Sequence, residues 1–228
     1  MSKSTRPVWL VTGAAGALGA AMVKQLLESG RDCIALDRNA RALDKLHDGL
    51  AGEVGCAPAL LPFDLAGAGP DDYQNVAEQI GTSIGRLDVL VHNAADFVAL
   101  RPLEHQPADE WFKLLQAGLT GPMLLTSALL PLLRESGQGR IVFVADRHCL
   151  ERPANWGAYG VAQAGREWMS RALAAELGPR GPRVMDIDPG PFYSPLRAAA
   201  WPAIEPEGMP AAAQRAGKLI ESIDQGVQ

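Results

Sequence analysis

Short unbroken apolar runs alternate along this chain with longer segments whose apolar residues recur every three or four positions. The runs are Val8–Val11, Cys33–Leu36, Ala59–Leu61, Leu87–Val91, Ile141–Val144 and Val184–Ile187. The periodic segments are Ala17–Glu28, Arg41–Leu50, Asp71–Ile84, Pro107–Leu133, Trp156–Leu177 and Ala211–Ile223. A strand covered on both faces reads as a continuous apolar run, whereas a period near 3.6 marks a helix with one buried stripe. The alternation therefore predicts an α/β fold, a doubly wound parallel sheet with helices on both faces and right-handed crossovers. The expected strand order is 3-2-1-4-5-6. Only a short tail follows the last helix, so a seventh strand is expected to be absent. No repeat or long linker divides the chain, and residues 1–228 read as one domain. Residues 189–210, rich in proline and alanine and weakly periodic, read as a candidate substrate loop or lid.

The segment Thr12–Gly19, TGAAGALG, joins the first strand to the first helix. Its glycines permit a tight turn and close approach of a pyrophosphate, which would meet free N–H groups and the positive end of the helix. The preceding strand, the following helix and the acid Asp37 at the end of the second strand agree with a Rossmann-type dinucleotide site. Gly13, Ala15, Gly16, Leu18 and Gly19 are the candidate contacts within the turn. Asp37 can accept hydrogen bonds from both adenosine ribose hydroxyls and repels a 2′-phosphate. Arg38 beside it can attract that phosphate. With no second basic residue in the turn, NAD is expected over NADP. Asp64, after the third strand, is placed either to bond the adenine amino group or to cap a turn.

The net charge of −5 comes from interspersed signs, which argues against nucleic acid as a partner. No apolar run looks long enough to span a bilayer, and the polar lead Met1–Arg6 lacks the apolar stretch of a signal peptide. Cys33, Cys56 and Cys149 are odd in number and lack metal-ligand spacing, so reduced thiols in the cytoplasm and no metal are expected.

Four stretches together resemble the short-chain dehydrogenase/reductase family, over about Val8 to Leu196. They are the Thr-Gly-x-x-x-Gly-x-Gly turn, His92-Asn93-Ala94-Ala95, Tyr159-Gly-Val-Ala-Gln163 and Asp188-Pro189-Gly190-Pro191. Ala154–Tyr159 is further similar to a bacterial subgroup of poorly characterised oxidoreductases in that family. The resemblance implies a nicotinamide cofactor touched by Asn93, Tyr159, Gln163, Pro189, Gly190 and Ser194. It also implies a catalytic set of asparagine, serine, tyrosine and lysine. Tyr159 stands at the tyrosine, the acid/base of the set. Gln163 stands at the lysine, Asp146 at the serine and Gly118 at the asparagine, so the set is degenerate.

Tyr159 and Gln163 are four apart and share a helix face. A neutral amide cannot favour a phenolate, though it can bond a ribose hydroxyl. An unassisted tyrosine ionises near pH 10, which costs on the order of 4 kcal/mol at neutrality. A neighbouring Asp146 raises that cost. Asp146, Arg147 and His148 follow the fifth strand, where a loop borders the crevice, so Asp146 or His148 is an alternative base. Arg147 and His148 are otherwise expected to face solvent, Cys149 to be packed, His92 to cap its strand end near the cofactor, and His47 and His105 to lie on the surface. Trp156 and Trp201 read as a substrate wall or as core. Three readings stand. One is an NAD(H)-dependent oxidoreductase on a small carbonyl or alcohol; the second is a catalytically inactive dinucleotide-binding or regulatory protein. The third is a non-redox lyase or isomerase using Asp146 or His148. The long helices carry wide apolar faces, including Leu124, Leu125, Leu129, Leu132, Trp168 and Met169, and predict a homodimer or larger homo-oligomer.

Overall fold

A computed structural model describes residues 6–203, 205 and 207–226. The extreme N-terminal lead, and Ile204 and Pro206 of the expected lid, lie outside the described residues. The strands are β1 (Val8–Thr12), β2 (Asp32–Asp37), β3 (Ala59–Pro62), β4 (Val89–His92), β5 (Arg140–Val144) and β6 (Arg183–Ile187). They form one sheet in the order β3-β2-β1-β4-β5-β6, all pairs parallel, as the alternation predicts. Among the described residues no seventh strand follows.

Side chains alternate between the two faces of a strand, and here they divide into two cores. Trp9, Val11, Cys33, Ala35, Val142 and Met185 point to one face, covered by α1 (Ala17–Glu28), α2 (Ala40–Val54) and α9 (Ala212–Gln225). Val8, Leu10, Ile34, Leu36, Ile141 and Phe143 point to the other. There they meet α3 (Pro70–Ser83), α5 (Gly121–Glu135) and the later turns of α7 (Gly157–Leu177). Leu125 and Leu129 are fully buried in this second core, and Leu124, Leu132 and Met169 pack against it. Those residues therefore pack toward the sheet, Leu124, Leu132 and Met169 only partly buried; Trp168 alone of the set is exposed.

The helix expected over Pro107–Leu133 is α4 (Ala108–Leu115) joined to α5 through a π-helical segment, Gln116–Thr120. Pro122 explains the change of register. It has no N–H for the Gly118 carbonyl, and its ring would crowd that carbonyl in a regular α-helix. The whole run, Ala108–Glu135, has a mean hydropathy of 1.2 over its most apolar window and is long and apolar enough to cross a membrane. That corrects the expectation of no such segment. Half of the window is buried within the fold, as in the core helix of a layered sheet.

The amino ends of the central strands are held by Asp88, which is nearly buried. Its carboxylate accepts from the Val8 N–H at 2.8 Å and from Arg86 Nε and Nη2 at 2.7 and 2.9 Å. Its own backbone pairs with Val8 on one side and Arg140 on the other. Asp88→Ala leaves the Val8 N–H unpaired, a loss of about 2–3 kcal/mol. We expect a melting temperature lowered by roughly 4–12 °C in a thermal unfolding scan. A change below about 2 °C would remove Asp88 from this role.

Candidate functional site

The crevice opens where β1 and β4 part at their carboxyl ends, the place at which a doubly wound sheet reverses its winding. Thr12 ends β1 completely buried and ties the two strands together. Its hydroxyl donates to the Val91 carbonyl at 3.2 Å and accepts from the N–H groups of Asn93 and Ala94, each at 3.0 Å. Asn93 returns the tie through its amide, which donates to the Thr12 and Gly13 carbonyls at 2.9 and 3.2 Å. Gly13 has φ +65°, and a Cβ there would stand 2.8 Å from the Ala94 Cα. A Cβ on Gly19 would stand 2.2 Å from the Gly13 carbonyl oxygen, so the helix start can lie against the turn only without one.

A cavity of about 680 Å³ follows this edge. Gly13, Ala15, Gly16 and Leu18 line it at the turn, Asp37, Arg38, Asp64 and Asp96 at one end, and Asp146, His148, Tyr159, Gln163 and Trp201 at the other. Gly19 is buried behind the turn and does not line it. The Asp37 carboxylate accepts from the Ala15 N–H at 3.1 Å and the Asn39 N–H at 2.9 Å. Arg38 pairs with Asp96 at 2.7 Å. Asp64 accepts from the Ala66 N–H at 3.0 Å, the turn-capping arrangement, while still facing the cavity.

At the other end the Tyr159 hydroxyl donates to Asp146 Oδ2 at 3.0 Å. Burial, then the Asp146 charge, drives the phenol well above its usual range. Gln163 shares the helix face with Tyr159, and its amide oxygen accepts from the Asp146 N–H at 3.3 Å. Gly118 lies in the π segment against α7, where a Cβ would come 2.9 Å from the Ala162 Cβ. It offers no side chain to the cavity, and nothing larger fits without displacing α7.

Two short helices escaped the periodicity: α6 (Arg147–Glu151) and α8 (Pro195–Ala200), each too brief to show a repeat. Arg147 is exposed as expected and pairs with Asp186 at 3.4 Å. His148 instead turns into the cavity, its ring 5.2 Å from Trp201. Cys149 is packed; its thiol donates to the Asp146 carbonyl, and burial pushes it up to about 12. Asp188 shapes the turn at Pro189 and Gly190 by accepting from the N–H groups of Arg147 at 2.8 Å and Gly190 at 2.6 Å. Ser194 caps α8 through the Arg197 N–H at 3.1 Å, and Pro189, Gly190 and Ser194 all face the cavity. Trp156 and Trp201 are both wall and core. Trp156 is buried among Phe97, Tyr159 and Trp201 with ring centres 5.4–5.5 Å away, and Trp201 faces the cavity. No group of metal-ligating side chains occurs among the described residues.

His92 does not cap its strand. It is buried, stacked on Phe143 at 4.9 Å and bonded through Nε2 to the Thr126 hydroxyl at 2.8 Å. Behind it lies Arg166, which sequence reasoning missed. This buried guanidinium donates to the carbonyls of His92 and Ala94, and burial brings it down to about 10. Its signal was present: positions 159, 163 and 166 follow the helical repeat, so a charged residue shares the face of Tyr159 and Gln163.

Comparison with known proteins places this geometry. The sequence model described as short chain dehydrogenase matches residues 7–205. The uncharacterized oxidoreductase YciK of Escherichia coli is 32% identical over 87% of this chain and 78% of its own. D-threitol dehydrogenase of Mycolicibacterium smegmatis is 34% identical over 85% of this chain and 73% of its own. A short chain dehydrogenase of Shigella flexneri, crystallised with NADP, superposes with a TM-score of 0.87 at 31% identity, over 92% of this chain and 87% of that one. One from Escherichia coli CFT073, crystallised with NADPH, gives 0.88 at 32% identity, over 93% and 88%.

The buried histidine predicts a pH dependence. Burial, reinforced by Arg166, holds the His92 imidazole well below its usual 6.5, hence neutral. In the unfolded chain it binds a proton below about 6.5, and in the folded chain it does not. Stability is thus fully present above that value and falls as pH is lowered, with a slope of up to about 1.4 kcal/mol per pH unit from this group. In denaturant titrations between about pH 6.5 and 5, His92→Gln should flatten the slope. An unaltered slope would mean that His92 is protonated in the fold.

Proposed function

The chain belongs to the short-chain dehydrogenase family, and from that premise we propose that it binds a nicotinamide dinucleotide along the crevice and transfers hydride at the end walled by Tyr159, Asp146 and Trp201. The observation that carries this reading is the glycine turn itself. Gly13, Ala15, Gly16 and Leu18 form one wall of a cavity that runs on to the tyrosine. Anionic phosphates suit that turn, which ends in the N-terminus of α1; Asp37 takes the Ala15 N–H, and the first N–H groups of the helix itself face the anion.

Two neighbours compete over the 2′ position of the adenosine ribose. Asp37 favours a free hydroxyl, and it is the basis for expecting NAD. Two solved relatives were crystallised with NADP and NADPH, which speaks for the phosphate. Both Asp37 oxygens already accept backbone N–H bonds, which offsets part of the carboxylate charge. Arg38 lies at the cavity mouth with its side chain half exposed and can exchange Asp96 for a phosphate. We therefore read the cofactor as NADP(H), with Arg38 as the phosphate partner, in place of NAD.

The chemistry at the tyrosine departs from the family pattern. No lysine stands one turn on, and the phenol hydrogen points into a carboxylate. A phenolate is disfavoured by burial and by Asp146 together, so ordinary alcohol oxidation through it should be very slow. That same observation favours a second reading, a dinucleotide-binding protein without turnover. The altered Asp146–Tyr159–Gln163 arrangement keeps hydrogen-bonding groups at the cavity wall, and on that account we hold to an oxidoreductase.

The family's helices also leave apolar side chains uncovered here. Phe112 on α4 and Trp168 on α7 are 71% and 68% exposed, with Val161 and Met123 also open. Elements α4 and α7 pack together, so we propose that these residues form a homodimer face.

Fluorescence titration tests the cofactor reading. NADPH should bind in the micromolar range, and Arg38→Ala should weaken it about tenfold or more while leaving NADH within about threefold. NADH binding at least tenfold tighter than NADPH in the unaltered protein would overturn it and restore the order inferred from Asp37. Light scattering tests the assembly. The unaltered chain should run as a dimer, and Trp168→Glu should shift it toward monomer; an unaltered chain that stays monomeric at high concentration would dispose of the idea.

A further inference from the structure

We propose that the substrate end of the crevice is built for a basic nitrogen: an amine when the protein oxidises, and the corresponding iminium when it reduces. This rests on the oxidoreductase reading above and names its substrate class.

The first ground is an uncompensated carboxylate. Asp146 lines the cavity and has no ion-pair partner among the described residues. None of the nearby cations pairs with it, although Arg197 lines the same cavity. Arg147 reaches Asp186, Arg166 is bonded to the His92 and Ala94 carbonyls, and Arg197 lies over the Trp201 ring at 4.7 Å. Gln163, the other polar neighbour on α7, is neutral.

The second ground is the hydrogen-bond inventory. A carbonyl substrate needs an O–H or N–H donor at its oxygen, where negative charge grows during reduction. Tyr159 has one O–H, and it is donated to Asp146 Oδ2, which leaves the neutral Gln163 amide N–H as the donor on this helix face. An ionised carboxylate donates nothing. A protonated nitrogen has the opposite requirement, because it brings its own N–H donors and a positive charge. Asp146 Oδ1 and the lone pairs of the Tyr159 oxygen can receive them in charge-assisted bonds.

The third ground is the wall. Tyr159, Trp156 and Trp201 follow one another with ring centres 5.4 and 5.5 Å apart, and His148 closes on Trp201 at 5.2 Å. Tyr159 and Trp201 line the cavity with Trp156 packed behind them, and Arg197 over the Trp201 ring shows that this wall accepts a cation. A carboxylate beside such rings is suited to a cation with an apolar body.

The electron count closes with the dinucleotide as the other reactant. An ammonium first passes one proton to the Asp146 carboxylate and on to water. The C–H bond then breaks, its electron pair going with the hydrogen to the oxidised nicotinamide dinucleotide. The nitrogen lone pair forms the C=N bond, and the nitrogen becomes positive beside Asp146. In reduction the same pairs move back, from the reduced dinucleotide to the iminium carbon and from the C=N bond to nitrogen, giving a neutral amine. No alkoxide forms in either direction, so no phenol proton is required.

Calorimetric titration of the folded protein, with and without NADPH, tests this by binding alone. Cyclohexylamine should bind at least tenfold more tightly than cyclohexanol. Asp146→Asn, which keeps the shape of the side chain, should remove that preference, as should Asp146→Ser; circular dichroism checks that both are folded. With NADPH present, 2-methyl-1-pyrroline should be reduced faster than cyclopentanone. Equal binding of amine and alcohol, binding of neither, or an amine preference that survives Asp146→Asn would overturn the proposal. Failure of NADPH itself to bind would count against the oxidoreductase reading instead, and the amine preference without NADPH would still be decided.

Discussion

The tie between Thr12 and Asn93 is the contact on which the crevice depends. Two parallel strands that separate at their carboxyl ends leave unpaired backbone groups at the point of divergence. A buried group left unpaired there costs roughly 1–3 kcal/mol. The Thr12 hydroxyl meets one carbonyl and two N–H groups at once, and the Asn93 amide meets two more carbonyls. With those satisfied, the turn at Gly13 can sit in contact with Ala94 and still leave its far side open. Arg166 supports the same edge from below, holding the His92 and Ala94 carbonyls on either side of Asn93. The open edge therefore rests on side chains that never reach the cavity, together with one asparagine that lines it.

The fold was legible because its signal is repeated. Each strand holds an apolar run, each long helix is periodic, and an error of one or two residues at an end of β4, or of four at the carboxyl end of α2, leaves the topology unchanged. The glycine turn was legible for a different reason: its spacing is dictated by contacts a Cβ would destroy, most severely at Gly19. Tyr159, Gln163 and Asp146 were singled out by resemblance, and the structure brings them together by hydrogen bonds that spacing alone does not specify.

What stayed hidden depended on long-range packing. Helices of five and six residues, α6 and α8, complete less than two turns and leave no periodic trace. Their formation aims His148 inward and places Trp201 on the wall. His92 was read as a polar residue near a ligand because its neighbours are. Its burial becomes visible only when Thr126 and Phe143, from distant elements, are seen against its two faces. The apolar faces of the long helices could not be divided between sheet and partner for the same reason: a pattern shows that a stripe is buried without showing against what. Arg166 is the opposite case, since its place on the Tyr159 face is written in the helical repeat and only its partners are not.

The electrostatic consequence of the substitutions follows from counting charges. Set against the serine and lysine that the family resemblance leads one to expect, Asp146 adds one negative charge and Gln163 removes one positive charge, a change of two units at the same few ångströms. A site that favoured a developing oxyanion before such a change would oppose it afterwards, because the interaction with the reacting atom reverses sign and water is largely excluded. Arg166 does not undo this. It is buried beneath the strand end with its donors turned toward backbone carbonyls, and among the influences on Tyr159 its charge is the smallest. The dinucleotide turn, at the other side of the crevice, is untouched by the exchange. On the proposed reading, such a chain would keep the means to hold a hydride carrier while reversing the charge it welcomes at the carbon's neighbour, and nitrogen is the common element that is positive there.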